Sequence, residues 1–270
     1  MTETMTLNGV AIDYRDEGRG APDAPTLVLM TGWAHDLSYY RRLIPELTPD
    51  FRVVALSWRG HDRERTDVGD YGVPDQTADT RALLDALGVE RAVPVAHAHG
   101  GWVALELADQ LGTERVPGVV IADLIMTTIP PDFAAAVHDL QDPERWKRTQ
   151  LGLAKGWLAG AITLRLLKHM FLESRGFGFD TWARSGRVIE DAYGTWGSPM
   201  GRMEALAEPR PVHHVFSHPK DPSYDALHER FRAAHPWFGY TRLRGRTHFP
   251  AHELPGQVAA VVRRFVATEL

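Results

Sequence analysis

Short apolar runs alternate along this chain with stretches whose apolar residues recur at helical spacing, and that alternation leaves few folds open. Thr26 to Met30 (TLVLM) is a nearly continuous apolar run, as a strand buried on both faces must be. Tyr39 to Leu47 has helical spacing, Phe51 to Trp58 reads as the next strand, and Asp75 to Leu87 as a helix closed by Gly88. Arg91 to His97 is strand-like, Trp102 to Leu111 is helical with Gly112 just beyond, and Gly118 to Met126 is another buried strand. Such an order specifies an α/β fold, a mostly parallel sheet flanked by helices. From about Ile129 to Ala207 the strand signal stops, and the chain becomes helical and rich in Trp, Leu and Met. The alternation resumes with a strand near Val212 to Ser217, a helix from Tyr224 to Ala234, a strand near Phe238 to Leu243 and a last helix from Gln257 to Thr268. The expected division is a core of residues 1–128 and 208–270 with a helical cap insertion at 129–207.

Composition narrows the chemistry. The 270 residues are 44% hydrophobic and 24% charged, the proportions of an ordinary globule. A net charge of −5 gives no general attraction for nucleic acid or anionic lipid, so neither is expected as a partner. The absence of cysteine excludes disulfides, thiol catalysis, Cys-ligated zinc and iron–sulfur clusters. The first residues, MTETMTLNGV, lack the basic and apolar regions of a signal peptide, and no apolar run approaches the ~20 residues of a membrane span. The expected compartment is the cytoplasm.

The most informative stretch is Val95-Ala96-His97-Ala98-His99-Gly100-Gly101-Trp102, which follows a strand and opens a helix. That is the context of a nucleophile elbow, a sharp turn that lifts one side chain above the sheet edge. Ala96 and Gly100 supply the small residues needed on either side, but the tip is Ala98, which has no lone pair with which to attack. Three further features arrive in the order of an α/β-hydrolase. Gly32-Trp33 follows the first buried strand, where an oxyanion-hole amide belongs, and Trp58-Arg59-Gly60-His61 follows the next. Thr247-His248-Phe249-Pro250 lies between the last strand and the last helix, the place of a catalytic histidine. Two aspartates compete for the acid. Asp123 is embedded in VVIADLIM, where an unpartnered charge would be costly and a histidine partner would offset the cost. Asp221 sits among Pro, Lys and Ser and reads as a solvated turn residue, so Asp123 is the expected acid. A histidine–acid pair without a nucleophile suits proton abstraction from an acidic substrate, with backbone amides holding the resulting oxyanion.

At these residues the chain resembles the cofactor-independent 2,4-dioxygenases that cleave 3-hydroxy-4(1H)-quinolones on an α/β-hydrolase fold. The likeness runs through Gly32-Trp33-Ala34-His35-Asp36, Trp58-Arg59-Gly60-His61, His97-Ala98-His99-Gly100-Gly101-Trp102 and Asp142-Pro143-Glu144-Arg145-Trp146. It continues through the run from Trp182 to Gly194, His235-Pro236-Trp237-Phe238 and Thr247-His248-Phe249-Pro250, and so spans nearly the whole chain. The resemblance implies that no metal or organic cofactor is used. It implies that His248, assisted by Asp123, takes the proton of the substrate's 3-hydroxyl. The anion then reacts with O2, and the ring opens to carbon monoxide and an N-acylanthranilate. It also implies that Trp33, His35, His97, His99 and Trp157, with Ala98, line the substrate site. Well-known members carry serine at the elbow tip; since that serine is not thought to be a covalent nucleophile in ring cleavage, Ala98 is compatible with the reaction.

Rival readings remain at this level. An α/β-hydrolase-fold binding protein without turnover, or a hydrolase inactivated at its elbow, would share the elbow. A metal site is disfavoured because His97 and His99 lack a third ligand, Glu106 lying well along the following helix. His61, His169, His213, His214, His218, His228, His235 and His252 read as surface or packing residues. The apolar residues Leu158, Ile162, Leu164, Leu166, Leu167, Met170, Phe171 and Leu172 exceed what one amphipathic stripe requires. Ile125, Met126 and Ile129 lead toward them, and the surplus predicts a substrate with an alkyl chain at C2, longer than methyl and of the heptyl class.

Overall fold

Period-two alternation in the central strands sends successive side chains into two separate cores. In β3 (Thr26–Met30), Val28 and Met30 join one apolar cluster while Leu27 and Leu29 join another. The same split divides Val54 and Leu56 from Val53 and Ala55 in β4 (Val53–Leu56), and Ala92 and Ala96 from Val93 and Val95 in β5 (Ala92–His97). A strand buried on both faces belongs to a sheet covered on both faces. The computed structural model, which describes residues 1–21, 23–62, 64, 66–158 and 177–270, has that architecture.

Among the described residues, eight strands form one sheet in the order β1-β2-β4-β3-β5-β6-β7-β8. β1 (Glu3–Leu7) and β2 (Val10–Glu17) form an antiparallel hairpin, and β2 pairs antiparallel with β4. From β4 through β3, β5, β6 (Val119–Ala122), β7 (Val212–Phe216) and β8 (Phe238–Arg242) every pairing is parallel. One face carries α2 (Val73–Ala86), α3 (Gly100–Arg115) and, further along, α8 (Pro222–Ala234). The other carries α1 (Ile44–Leu47), α9 (Pro250–Glu253) and α10 (Pro255–Glu269). Between β6 and β7 the chain forms α4 (Pro131–Asp139), α5 (Trp146–Leu158), α6 (Phe179–Trp196) and α7 (Pro199–Glu204). The buried residues of α6, including Trp182, Ser185, Ile189, Ala192 and Tyr193, recur at three- and four-residue spacing, one face of a helix. Of these, Trp182, Ile189, Ala192 and Tyr193 join Trp33, Trp102, Val137 and Leu140 in a third apolar cluster at the carboxyl end of the sheet. Among the described residues no helix is long and apolar enough to cross a membrane.

Three expectations shift. The N-terminal hairpin is additional to the predicted strands. The strand predicted over Gly118 to Met126 ends at Ala122, because Asp123 turns the backbone into the left-handed region at φ +48°. Gly112, expected just past its helix, is a left-handed kink (φ +71°) before a final turn ending at Arg115. Residues Ile162, Leu164, Leu166, Leu167, His169, Met170, Phe171 and Leu172 lie outside the described residues.

Candidate active site

The strand order reverses direction between β3 and β5. In open α/β sheets ligands bind outside the carboxyl ends of the strands at such a point. The candidate site is built there. Trp33 follows β3, Ala98 and His99 follow β5, Asp123 follows β6, His218 follows β7 and His248 follows β8. All six line one cavity of about 300 Å³.

The elbow has the strained geometry its function as a turn requires. Ala98 sits at φ +47°, its amide donating to the Ala122 carbonyl at 2.8 Å. A Cβ on Gly100 would stand 2.5 Å from the Thr31 carbonyl oxygen, so only glycine lets α3 approach β3 this closely. The amides of Trp33 and His99 donate to no protein acceptor among the described residues. They are the two positions from which this fold builds an oxyanion hole. The adjoining residue Ala34 is also left-handed (φ +48°), and its amide is held by His61 Nε2 at 3.3 Å.

Asp123 is buried at the end of β6. Its Oδ1 accepts from the amides of Ser217 (2.8 Å) and His218 (3.2 Å), while Oδ2 has no hydrogen-bond partner among the described residues. Burial pushes its pKa up to about 7 against the pull of those two amides. The histidine partner expected to offset this burial is thus replaced, in the structure, by main-chain donors. Asp123 and His248 face the same cavity with no hydrogen bond between them. Asp221 is exposed and caps α8, its carboxylate accepting from the Ser223 amide at 2.8 Å.

His248 is placed by its main chain. Its amide donates to the Trp157 carbonyl (3.0 Å), and its carbonyl lies 2.8 Å from His97 Nε2, which donates to it. The loop before it is anchored by Glu253, whose carboxylate accepts from the Arg246 and Thr247 amides and from Thr247 Oγ1. The His248 ring stacks on Trp157 at 5.7 Å and 22°. Burial holds its pKa well below the usual histidine value, with further lowering from His97 and His218. His99 is pushed down to about 3 by burial and by His61 and His97. The imidazoles facing the cavity are therefore neutral at physiological pH.

The walls are aromatic and apolar. Trp33 stands 6.0 Å from Trp157, 6.0 Å from Phe133 and 5.8 Å from Trp182 between ring centroids. Leu124, Ile125, Ile189, Trp102, Tyr193 and Tyr224 complete much of the lining. Of the residues predicted for the site, Trp33, Ala98, His99, Asp123, Trp157 and His248 line the cavity. His35 and His97 stand behind it: His35 packs on Tyr39 and Phe249, and His97 meets the cavity through its hold on His248. His218, read from sequence as a surface or packing residue, lines the cavity instead. Met126 is buried in the sheet core, Leu158 packs in the cluster on the opposite face, and Ile125 reaches the cavity wall. Among the described residues no three His, Asp or Glu side chains are grouped as metal ligands.

Comparison with known proteins identifies the family. Residues 25–175 match the family model for the alpha/beta hydrolase fold. The chain is 72% identical, over 98% of both chains, to the 2-heptyl-3-hydroxy-4-quinolone dioxygenase AqdC2 of Rhodococcus erythropolis. It is 34% identical, over 98% of its length and 99% of the relative's, to the 1H-3-hydroxy-4-oxoquinoline 2,4-dioxygenase of Pseudomonas putida. A solved structure of an AqdC variant with its substrate, the Pseudomonas quinolone signal, superposes with a TM-score of 0.96 at 55% identity, covering 99% of each chain. Similarity of this extent reaches the sheet, the elbow and the helices over it alike, and the chain belongs to the α/β-hydrolase-fold family of ring-cleaving 3-hydroxy-4-quinolone 2,4-dioxygenases.

Proposed function

We propose that the cavity binds a 2-alkyl-3-hydroxy-4(1H)-quinolone and that His248, assisted by Asp123, removes the proton of its 3-hydroxyl. The anion then reacts directly with O2, and the ring opens with loss of carbon monoxide to an N-acylanthranilate, without metal or organic cofactor. The observation that carries this assignment is the convergence of His248, Asp123 and the alanine-tipped elbow on one aromatic-walled cavity. A neutral imidazole is the form that can accept a proton, and burial keeps His248 neutral. The imidazolium formed on transfer is disfavoured by the same burial, so it depends on the adjacent substrate anion and on ionised Asp123 for stabilisation. The amides of Trp33 and His99 are placed to receive an oxyanion. Trp33 and Trp157 suit a planar bicyclic ring, which packs well against aromatic faces.

Residues 129–207 act as the cap that keeps water from a reactive anion. The relatives named for heptyl substrates and the apolar wall from Leu124, Ile125 and Ile189 support an alkyl group at C2. Each buried methylene contributes ~0.8 kcal/mol before entropy losses, so 2-heptyl should exceed 2-methyl in kcat/KM, much of the gain appearing in KM. Oxygen uptake and carbon monoxide release with a panel of 3-hydroxy-4(1H)-quinolones test the assignment, and turnover is expected to be unaffected by chelators. Equal kcat/KM for methyl and heptyl substrates would remove the alkyl preference, and absence of carbon monoxide would remove the reaction.

A further inference from the structure

Immediately after Asp123, three successive residues are held by two tyrosine hydroxyls. The Tyr224 hydroxyl donates to the Leu124 carbonyl (3.2 Å) and accepts from the Met126 amide (3.1 Å). The Tyr193 hydroxyl donates to the intervening carbonyl of Ile125 at 2.8 Å. Tyr193 comes from α6 and Tyr224 from α8, so two separate helices grip one short segment. Both phenols are buried, which raises their pKa values and keeps them protonated donors.

The gripped segment follows a strained residue. Asp123 is left-handed, a conformation that costs a non-glycine residue energy and persists only where its surroundings over-determine it. On its other side the Asp123 amide donates to the Val215 carbonyl at 2.9 Å. Tyr224 is itself braced from behind. His228 Nδ1 donates to the Tyr224 carbonyl (2.7 Å), and that fixes the tautomer: His228 Nε2 must accept from His214 Nδ1, also at 2.7 Å. The two fully buried imidazoles stack on Phe216, joining β7 to α8.

We propose that Tyr224 and Tyr193 are positioning residues for Asp123: they clamp the 124–126 backbone so that the strained aspartate keeps Oδ1 on the Ser217 and His218 amides and leaves Oδ2 for the reaction, with the His214–His228 pair as the strut behind Tyr224. This rests on the assignment of Asp123 as the acid that assists His248. Tyr→Phe removes a single oxygen and keeps the ring that lines the cavity. The test is a cycle of Tyr224→Phe, Asp123→Asn and the double variant, with Tyr193→Phe alongside, read by steady-state oxygen uptake and by melting temperature. Tyr224→Phe is expected to lower kcat roughly tenfold and Tyr193→Phe roughly threefold, KM changing less than twofold in each, as loss of a hydrogen bond that acts on turnover rather than binding predicts. In the Asp123→Asn background, Tyr224→Phe is expected to cost nothing further, because the group it positions is already gone. Equal losses in both backgrounds, or an effect confined to KM, would overturn the clamp while leaving Asp123 in its role. Wild-type kcat in Asp123→Asn would overturn both. Should Tyr224→Phe fail to fold, Tyr193→Phe in the same cycle carries the same decision.

Discussion

His99 and His248 stand at the carboxyl ends of β5 and β8 against the cavity, with His97 behind them, whereas His214 and His228 lie paired between β7 and α8. Burial drives the pKa of His99, His248, His214 and His228 down, so titration alone does not separate the two groups. Their partners do. The His214–His228 pair is linked nitrogen to nitrogen and ends on a main-chain carbonyl, an arrangement complete within the protein apart from His214 Nε2. The His248 ring is stacked on Trp157, and among the described residues its hydrogen bonds run through its main chain, so its ring nitrogens face the cavity without a protein hydrogen-bond partner there. A depressed histidine pKa marks burial; the open cavity and the neighbouring acid mark chemistry.

The largest expected separation comes from removing one ring from each group. His248→Ala should lower ring cleavage by about a thousandfold or more, as loss of a general base that no other group replaces, while sparing binding of the neutral substrate. An equal loss of binding would recast His248 as a packing residue like His214. Asp123→Asn should come next, lowering kcat by about a hundredfold and changing the pH profile. Because Asp123 is pushed up to about 7 and His248 well down, kcat/KM should rise as pH increases through about 7, where Asp123 ionises. That limb should vanish in Asp123→Asn and persist in Asp221→Ala; the reverse outcome would transfer the acid role to Asp221. In the buried pair, His214→Ala should act mainly on stability, by roughly 1–3 kcal/mol for leaving His228 without its partner. A urea melt measures it, and turnover per folded molecule should fall less than tenfold. The smallest change expected is Ala98→Ser: it restores a hydroxyl at the elbow tip, yet Asp123 is held by amides rather than by His248, so ester turnover should stay near background. A strong gain in ester hydrolysis would favour a hydrolase inactivated at its elbow.

Much of this arrangement was legible from local pattern. TLVLM, the elbow and the Thr247-His248 turn carry their meaning in consecutive residues, and the lone acid in VVIADLIM stands out against its surroundings. The N-terminal hairpin carried a local signal as well: Asn8-Gly9 is its turn, with both residues at positive φ, as a two-residue hairpin loop requires. What local pattern does not carry is set by pairing between distant strands. His218 reaches the cavity because β7 lies beside β6, which brings its amide onto Asp123 from 95 residues away. Tyr193 and Tyr224 look like ordinary amphipathic positions until two helices bring their hydroxyls to one segment. His35 and His97 show the opposite case, since residues beside a site in sequence stand one layer behind it in space.

The proposed reaction stands on the protein itself generating the substrate anion through His248, before oxygen takes part. Mixing the enzyme anaerobically with 2-heptyl-3-hydroxy-4(1H)-quinolone near neutral pH, and recording the absorption spectrum of the complex, tests that step in isolation. The spectrum of the deprotonated quinolone is expected with the wild-type protein, and that of the neutral quinolone, still bound, with His248→Ala. An anionic spectrum in the variant, or a neutral one in a wild-type protein that turns over once oxygen is admitted, would contradict it.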